Sequence, residues 1–295
     1  MAGCTSRPST TTARRRRCAA ARRCARCCVL PRRRGVPSTD VRGPAVDAGP
    51  FDLPGLGSSA ALCLHGLTGT PYEVRPLGEA LSRAGIRAVG PLLPGHGKDA
   101  AECRRTPYEA WVESARDAAR ALRETHARTF GVGLSMGGLV TLLLASEGLF
   151  DAAACVGTPI RLRQPGIGLV RYLKYLIPGI PKKAGSDICD PEARSRHPSL
   201  PSMPLASIHE LLKLQARVLE ALPRIEIPLL VAHGALDSTA HPDDARAIAE
   251  GVASRVVESR SFERSAHVVP VDYDGPALAE TLVRFLLDPG SGAGP

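Results

Sequence analysis

Aromatic residues are scarce in this chain, and long apolar runs are missing. Phe, Trp and Tyr make up 4% of its 295 residues, with a single Trp. No stretch approaches the roughly 20 apolar residues that a transmembrane helix needs, so no membrane span is predicted. No second cysteine pair follows Cys24 and Cys27 at zinc-binding spacing, so the sequence predicts no metal site.

The positive charge of the chain is concentrated in its first 50 residues. That segment holds 12 Arg against Asp40 and Asp47, whereas the rest holds 26 basic and 27 acidic residues. The formal net charge of +9 therefore gives the body of the chain no electrostatic reason to bind a polyanion. No nucleic-acid partner is predicted.

Residues 1–50 have the composition of a disordered tail. They contain arginine runs at 14–17 and 32–34, few apolar residues in periodic order, and no apolar stretch long enough for a secretory signal. An organellar transit peptide fits this composition, and a start codon assigned too far upstream explains it equally well. In the body, Cys63 and Cys155 fall in predicted buried strands, which favours free thiols in a reducing compartment, and a cytoplasmic protein is expected.

The stretch TFGVGLSMGG (129–138) predicts a strand that turns sharply into a helix, with Ser135 at the corner. A turn this tight requires very small residues two positions from the serine, and Gly133 and Gly137 stand there. Ser135 is therefore the candidate nucleophile. A dinucleotide-binding glycine pattern would need a third glycine where Met136 stands, so no nucleotide cofactor is predicted.

Short apolar runs alternate with helical patterns along the body, which predicts a mostly parallel sheet with helices on both faces. Thr106 is predicted to cap one of these helices, with Pro107 at its first position. The predicted strands cover 59–64, 86–89, 130–134, 152–156, 227–232 and 255–259.

The alternation breaks between residues 157 and 224, which are irregular and rich in proline. We interpret this segment as a cap inserted over the active face, with helices predicted at 169–177 and 205–222. The core is then formed by 51–156 and 225–290.

Asp237 and His267 each follow a predicted strand, as Ser135 does. The carboxyl ends of parallel strands meet at one edge of a sheet, so these three side chains are expected to lie close together. A serine hydroxyl needs a histidine base whose orientation is set by a carboxylate, and the order Ser, Asp, His is expected on this kind of turn. Asp243 and Asp244 are the competing carboxylates, but they begin a predicted helix, where acids are favoured by the helix dipole. Three histidines follow no predicted strand and are set aside: His126, His197 and His209.

A tetrahedral oxyanion needs two backbone N–H donors. Met136, directly after the nucleophile, is expected to supply one, and Leu67 in the loop HGLTG (65–69) the other. The alternative for this loop is an ordinary tight turn.

Five segments carry a resemblance to a known family. They are HGLTGTPYEVRPLGEALSRAG (65–85), PGHG (94–97), GLSMGG (133–138), AHGALD (232–237) and SAHVVPVDYD (265–274). The chain resembles an α/β-hydrolase of the carboxylesterase and bacterial monoacylglycerol lipase type over residues 58–288. This resemblance implies an α/β-hydrolase fold and ester hydrolysis through an acyl-enzyme without a cofactor. In it, Ser135 is the nucleophile, His267 the base, Asp237 its orienting carboxylate, and Leu67 and Met136 the oxyanion donors.

The predicted cap is rich in apolar residues, which favours an ester with a medium or long acyl chain, such as a monoacylglycerol. The alternative is that these residues only attach the cap to the core. Basic residues border them and suggest weak contact with a lipid surface: Arg171, Lys174, Lys182 and Lys183. A thioesterase, an acyltransferase or a serine peptidase would use the same triad, and the fold could also serve a non-catalytic protein that binds hydrophobic ligands.

Overall fold

The computed structural model describes residues 46–182 and 185–290. Most of the tail predicted to be disordered, residues 1–45, lies outside the described residues. This part includes the Cys24–Cys27 pair and the possible targeting segment. Lys183 also lies outside the described residues. In the described part, no helix is both long and apolar enough to cross a membrane.

The first half of the described chain alternates strands and helices, and it contains the predicted sharp turn at Ser135. A short 3₁₀ turn at Pro71–Glu73 precedes the first helix. The elements are β1 (Phe51–Leu53), β2 (Ser59–Leu64), α1 (Arg75–Arg83), β3 (Arg87–Gly90), α2 (Ala100–Arg105), α3 (Tyr108–Thr125), β4 (Arg128–Leu134), α4 (Met136–Ser146) and β5 (Ala152–Val156).

The second half contains the predicted cap and then returns to the sheet. The elements are α5 (Val170–Leu173), β6 (Gly179–Pro181), α6 (Pro191–Arg196), β7 (Ser202–Pro204), α7 (Leu205–Ala221), β8 (Leu229–Gly234), α8 (Asp243–Gly251), β9 (Val257–Phe262) and α9 (Gly275–Leu287).

Seven strands form one sheet in the order β1-β3-β2-β4-β5-β8-β9, and every pair is parallel except β1 with β3. The central strands β2, β4, β5 and β8 are mostly apolar and almost entirely buried because helices cover both faces. One buried cluster includes side chains of α3, α4 and α7, and the other includes those of α1 and α9. The predicted mostly parallel sheet with helices on both faces is confirmed.

The strand order reverses between β2 and β4. From β2 the chain continues to β3 on one side, and it then returns to β4 on the other side and continues to β5. The loops that leave the carboxyl ends of β2 and β4 therefore diverge and leave a crevice between them, which is where open parallel sheets bind ligands. Ser135 follows β4, and the loop 65–69 follows β2.

The predicted start of α3 is wrong by one position. Pro107 is its N-cap residue, with extended backbone, and Thr106 ends the preceding helix α2. The Thr106 hydroxyl donates to the Glu102 carbonyl oxygen at 2.9 Å and so does not cap α3. Helix α2 was not predicted; its N-cap residue Asp99 accepts from the Glu102 N–H at 2.8 Å.

The first helix predicted in the cap is also shorter than expected. A 3₁₀ turn at Ile167–Leu169 leads into the single turn of α5, which ends four residues before Ile177. Pro178 follows, and its ring disfavours helical backbone in the residue before it. The second helix, α7, has nearly its predicted length, and it packs on α4.

Candidate active site

Ser135 occupies a strained position between β4 and α4. Its backbone has φ 55° and ψ −115°, which a residue with a side chain adopts only when its surroundings enforce it. The Ser135 N–H donates to the Val156 carbonyl oxygen of the neighbouring strand at 2.8 Å, and the Ser135 carbonyl oxygen accepts from Leu139 in α4. These backbone bonds thus fix the position of Ser135 at the carboxyl edge of the sheet.

Gly133 and Gly137, the glycines predicted on either side of Ser135, are placed where no larger residue fits. A Cβ on Gly133 would lie 2.2 Å from the Gly137 carbonyl oxygen, and one on Gly137 would lie 2.2 Å from the Leu64 carbonyl oxygen. Both obstacles are backbone atoms, which cannot move aside as a flexible side chain could. The approach of α4 to β2 therefore depends on these glycines.

His267 and Asp237 are in direct contact. His267 Nδ1 lies 2.8 Å from Asp237 Oδ2, and both residues are buried. Because a carboxylate can only accept, Nδ1 carries the hydrogen, which leaves His267 Nε2 as the basic nitrogen. Asp237 Oδ1 accepts from the Thr239 and Ala240 N–H groups, each at 2.8 Å, and these bonds fix the carboxylate.

The charges of this pair shift both pKa values. Burial alone lowers the pKa of His267. The attraction of the nearby Asp237 carboxylate outweighs this effect and raises the pKa of His267 above its ordinary value. Burial alone raises the pKa of Asp237, but contacts with His267 and His233 hold that pKa well below its usual range. Asp237 is thus a carboxylate at neutral pH.

His233 is a buried neighbour of this pair that the sequence analysis did not single out. It lies near the end of β8, and its Nε2 is 3.2 Å from Asp237 Oδ2. Its place at a strand end was the available signal. Asp243 and Asp244 start α8 as expected, and both contact Arg163.

The candidate oxyanion donors lie on two facing loops. Met136 is the first residue of α4, and Leu67 lies in a turn closed by a bond from the Gly69 N–H to the Gly66 carbonyl oxygen. Among the described residues, neither the Leu67 nor the Met136 N–H has an acceptor. A Cβ on Gly66 would be 3.4 Å from Ser135 Cβ, so the turn lies beside the serine.

Ser135, His267 and Leu67 line one cavity of about 760 Å³. Within the described residues, Ser135 and His267 make no hydrogen bond to each other, and such bonds often tighten only with substrate bound. Much of the wall is apolar and comes from the predicted cap, including Ile167, Val170, Leu173, Ile177, Ile180, Met203, Leu205, Ile208 and Leu211.

A family model described as Hydrolase_4, serine aminopeptidase S33, matches residues 58–274. The chain belongs to this family of α/β-hydrolases. The match begins one residue before β2, continues through the predicted cap, and ends just before α9. It therefore includes every candidate site residue.

Two relatives and one solved structure place the chain among the serine esterases and lipases of this family. A thermostable monoacylglycerol lipase from Bacillus sp. (strain H-257) is 34% identical over 236 residues, which are 78% of this chain and 90% of the relative. A carboxylesterase from Bacillus subtilis (strain 168) is 25% identical over 238 residues, 80% of this chain and 95% of the relative. A structure reported for the metagenome-derived lipolytic enzymes LipS and LipT has a TM-score of 0.77 and 28% identity, and the alignment covers 81% of this chain and 97% of that one.

The outer surface of the predicted cap in this α/β-hydrolase exposes apolar side chains. Tyr175 and Leu176 are 79% and 81% exposed, and Leu169 and Tyr172 are more than half exposed. Arg171 lies over the Tyr172 ring, and Lys174 lies over the Tyr175 ring. Other apolar residues of the predicted cap are buried, including Ile160, Val170, Leu211, Leu214 and Val218, so the segment both attaches to the core and presents apolar surface outward.

Proposed function

We propose that this protein is a carboxylic ester hydrolase that forms an acyl-enzyme on Ser135, and that its substrates are monoacylglycerols or similar esters of medium or long acyl chains. The observation that carries the proposal is the buried Asp237–His267 pair, 2.8 Å apart, at a cavity that also holds a serine in strained backbone. A serine that shares a cavity with a histidine base oriented by a carboxylate is the arrangement that can activate a hydroxyl nucleophile.

The proposed reaction follows from these positions. His267 Nε2 takes the proton as Ser135 Oγ attacks the ester carbonyl carbon, and the Leu67 and Met136 N–H groups donate to the resulting oxyanion. The protonated His267, stabilised by Asp237, then gives its proton to the departing alcohol. Water attacks the acyl-enzyme by the same route, which releases the carboxylic acid and restores the serine.

The apolar wall of the cavity supports a hydrophobic acyl group. Each methylene that leaves water there is worth about 0.8 kcal/mol, close to a fourfold gain in kcat/KM per carbon until the cavity is full. The family description, serine aminopeptidase, makes an amide bond the alternative target. The identity to a monoacylglycerol lipase favours a monoacylglycerol over an amide.

The exposed apolar side chains of the cap favour contact with a lipid surface. In the sequence, Tyr175 and Leu176 stand between Leu173 and Ile177, which line the cavity. The basic side chains of Arg171 and Lys174 would attract anionic lipid headgroups. We propose that this surface rests weakly on lipid aggregates while the substrate enters.

The test compares the wild-type chain with Ser135→Ala on matched substrates. Initial rates are measured on p-nitrophenyl esters and 1-monoacylglycerols from C4 to C16, and on an acyl-CoA and an aminoacyl p-nitroanilide of similar hydrophobicity. The expected result is hydrolysis that depends on Ser135, rises with chain length and is highest on monoacylglycerols.

Three other results would change the proposal. A preference for acyl-CoA or for the anilide would reassign the substrate class while keeping Ser135 as nucleophile. Tight binding of fatty acids without turnover would favour a binding protein. Equal hydrolysis by Ser135→Ala and wild type would contradict the assignment of the nucleophile.

A further inference from the structure

A buried carboxylate lies inside the turn that carries Leu67. Glu73 Oε2 accepts from the Gly66 N–H at 2.7 Å. A Cβ on Gly69 would lie 2.1 Å from Glu73 Oε1, so the turn wraps closely around the carboxylate. Glu73 is 4% exposed, and it lines the same cavity as Ser135.

The other oxygen of this carboxylate faces the predicted cap. His197 Nε2 lies 3.0 Å from Glu73 Oε1. His197 Nδ1 lies 2.6 Å from the Ser186 hydroxyl, which belongs to the same segment. Glu73 therefore joins the turn after β2 to a part of the chain more than 100 residues away.

The cap makes further hydrogen bonds to this turn at Thr68. The Leu200 N–H donates to the Thr68 carbonyl oxygen at 3.0 Å, and Lys182 Nζ donates to the Thr68 hydroxyl at 2.7 Å. Thr68 has φ 66°, a left-handed conformation that is unfavourable for a threonine unless its surroundings enforce it. The shape of the turn thus depends on bonds from Glu73 and from the cap.

Glu73 stays ionised in this site. Burial alone raises its pKa, but His197, His65 and the Gly66 N–H outweigh the burial and lower that pKa to about 2. A negative charge next to a developing oxyanion opposes it, so the charge of Glu73 cannot itself stabilise the transition state. What this carboxylate does provide is an acceptor that fixes the Gly66–Leu67 backbone.

We propose that Glu73 is a positioning residue that, together with His197 of the cap, holds the turn 66–69 so that the Leu67 N–H meets the oxyanion. The inference rests on the proposed function. Oxyanion donors act only at about 2.7 to 3.1 Å from the charged oxygen, so a small shift of this turn removes one of them. In this proposal, the contacts that attach the cap to the turn also complete the oxyanion site.

The test uses Glu73→Ala and Glu73→Gln in the full chain, with Glu258→Gln as control. Glu258 is another buried carboxylate, paired with Arg260 and Arg284, and it does not line the cavity. For each variant, kcat and KM are measured on a p-nitrophenyl ester across pH, and amide hydrogen exchange is measured in the peptides that contain residues 65–69.

Glu73→Ala is expected to lower kcat about 10- to 100-fold with KM changed less than threefold, because a displaced donor acts only in the transition state. Amide hydrogen exchange in the peptides that contain residues 65–69 should become faster, because the turn loses its acceptor. Glu73→Gln keeps an acceptor for the Gly66 N–H and should retain most of kcat. The acid limb of the pH–rate profile of Glu73→Gln should move to lower pH. The Glu73 charge helps to raise the pKa of His267, and this variant removes that charge. Glu258→Gln should change none of these.

A Glu73→Ala enzyme that melts earlier but keeps its kcat and its exchange in 65–69 would overturn the inference and leave the proposed function intact. An increase in KM alone would also overturn it, since that would place Glu73 in substrate binding. If the proposed function itself were wrong, the result would be different, because the wild-type rates would then equal those of Ser135→Ala. Hydrogen exchange reports on the turn in either case.

Discussion

Replacing Asp237 by asparagine tests the proposed base directly. The side-chain oxygen of the asparagine would keep the bonds that Oδ1 now accepts from Thr239 and Ala240, so the local fold is retained. The new amide nitrogen would face His267 Nδ1 at the present 2.8 Å, where two donors cannot meet. The imidazole is then driven to carry its hydrogen on Nε2, the atom that must accept the proton of Ser135.

The size of the effect follows from the same contact. Two unit charges 2.8 Å apart at an effective dielectric constant of 20 attract by about 6 kcal/mol, which sets a ceiling on what Asp237 contributes to a protonated His267. Part of this attraction is offset by burial. We expect kcat to fall about 10³- to 10⁴-fold, equivalent to about 4 to 5.5 kcal/mol.

The assay is the pH dependence of kcat/KM on a p-nitrophenyl ester. In the wild type, activity appears as pH rises through the raised pKa of His267, because the neutral imidazole is the base. Without the Asp237 charge that pKa falls, so the residual activity of Asp237→Asn should extend to lower pH. Asp243→Asn, a half-exposed carboxylate on α8, is the control and should match the wild type. A loss below tenfold in Asp237→Asn, or an equal loss in Asp243→Asn, would refute the assignment.

Three further predictions concern stability and surface binding. Gly137→Ala should lower the free energy of unfolding by at least about 2 kcal/mol in urea titrations because its Cβ meets backbone, whereas Gly168→Ala, with no atom within 4 Å, should be nearly neutral. The pKa of Glu73 is lowered to about 2, so its stabilisation is complete above its unfolded value near 4.5 and is lost as pH falls towards 2. Between pH 5 and pH 3 the wild type should therefore lose about 2 kcal/mol more than Glu73→Gln, and equal losses would contradict this linkage. Leu176→Asp should weaken sedimentation with phosphatidylserine vesicles about tenfold, whereas Leu56→Asp, also highly exposed but outside the cap, should not.

The sheet was predictable because its inner strands are apolar runs bounded by turn residues. The observed β2 and β5 have the predicted limits, and β4 begins two residues earlier than predicted. The edge strand β1 and the antiparallel strands β6 and β7 are each only three residues long, too short for a periodic pattern. Their pairing depends on tertiary contacts that no local window contains.

The residues of the candidate site that directly follow a predicted strand could be selected from the sequence. Ser135, Asp237 and His267 could be selected because each comes after a strand, and the geometry places the last two in contact. Glu73 carries no such signal, since an acidic residue near the start of a helix is expected anyway. His197 was set aside because it follows no strand, yet it faces Glu73 in the cavity. A contact between residues so far apart in sequence depends on the path of the cap, which single-sequence patterns do not encode.

The most direct test of the central claim is to detect the acyl-enzyme itself. A p-nitrophenyl ester is mixed rapidly with a stoichiometric amount of the full chain, the reaction is quenched in acid, and intact mass and peptide mass are measured. We predict a burst of about one p-nitrophenol per chain and an acyl mass increase on the peptide that contains Ser135, both absent in Ser135→Ala. Turnover with the acyl group on another residue, or with the same burst in Ser135→Ala, would contradict the account.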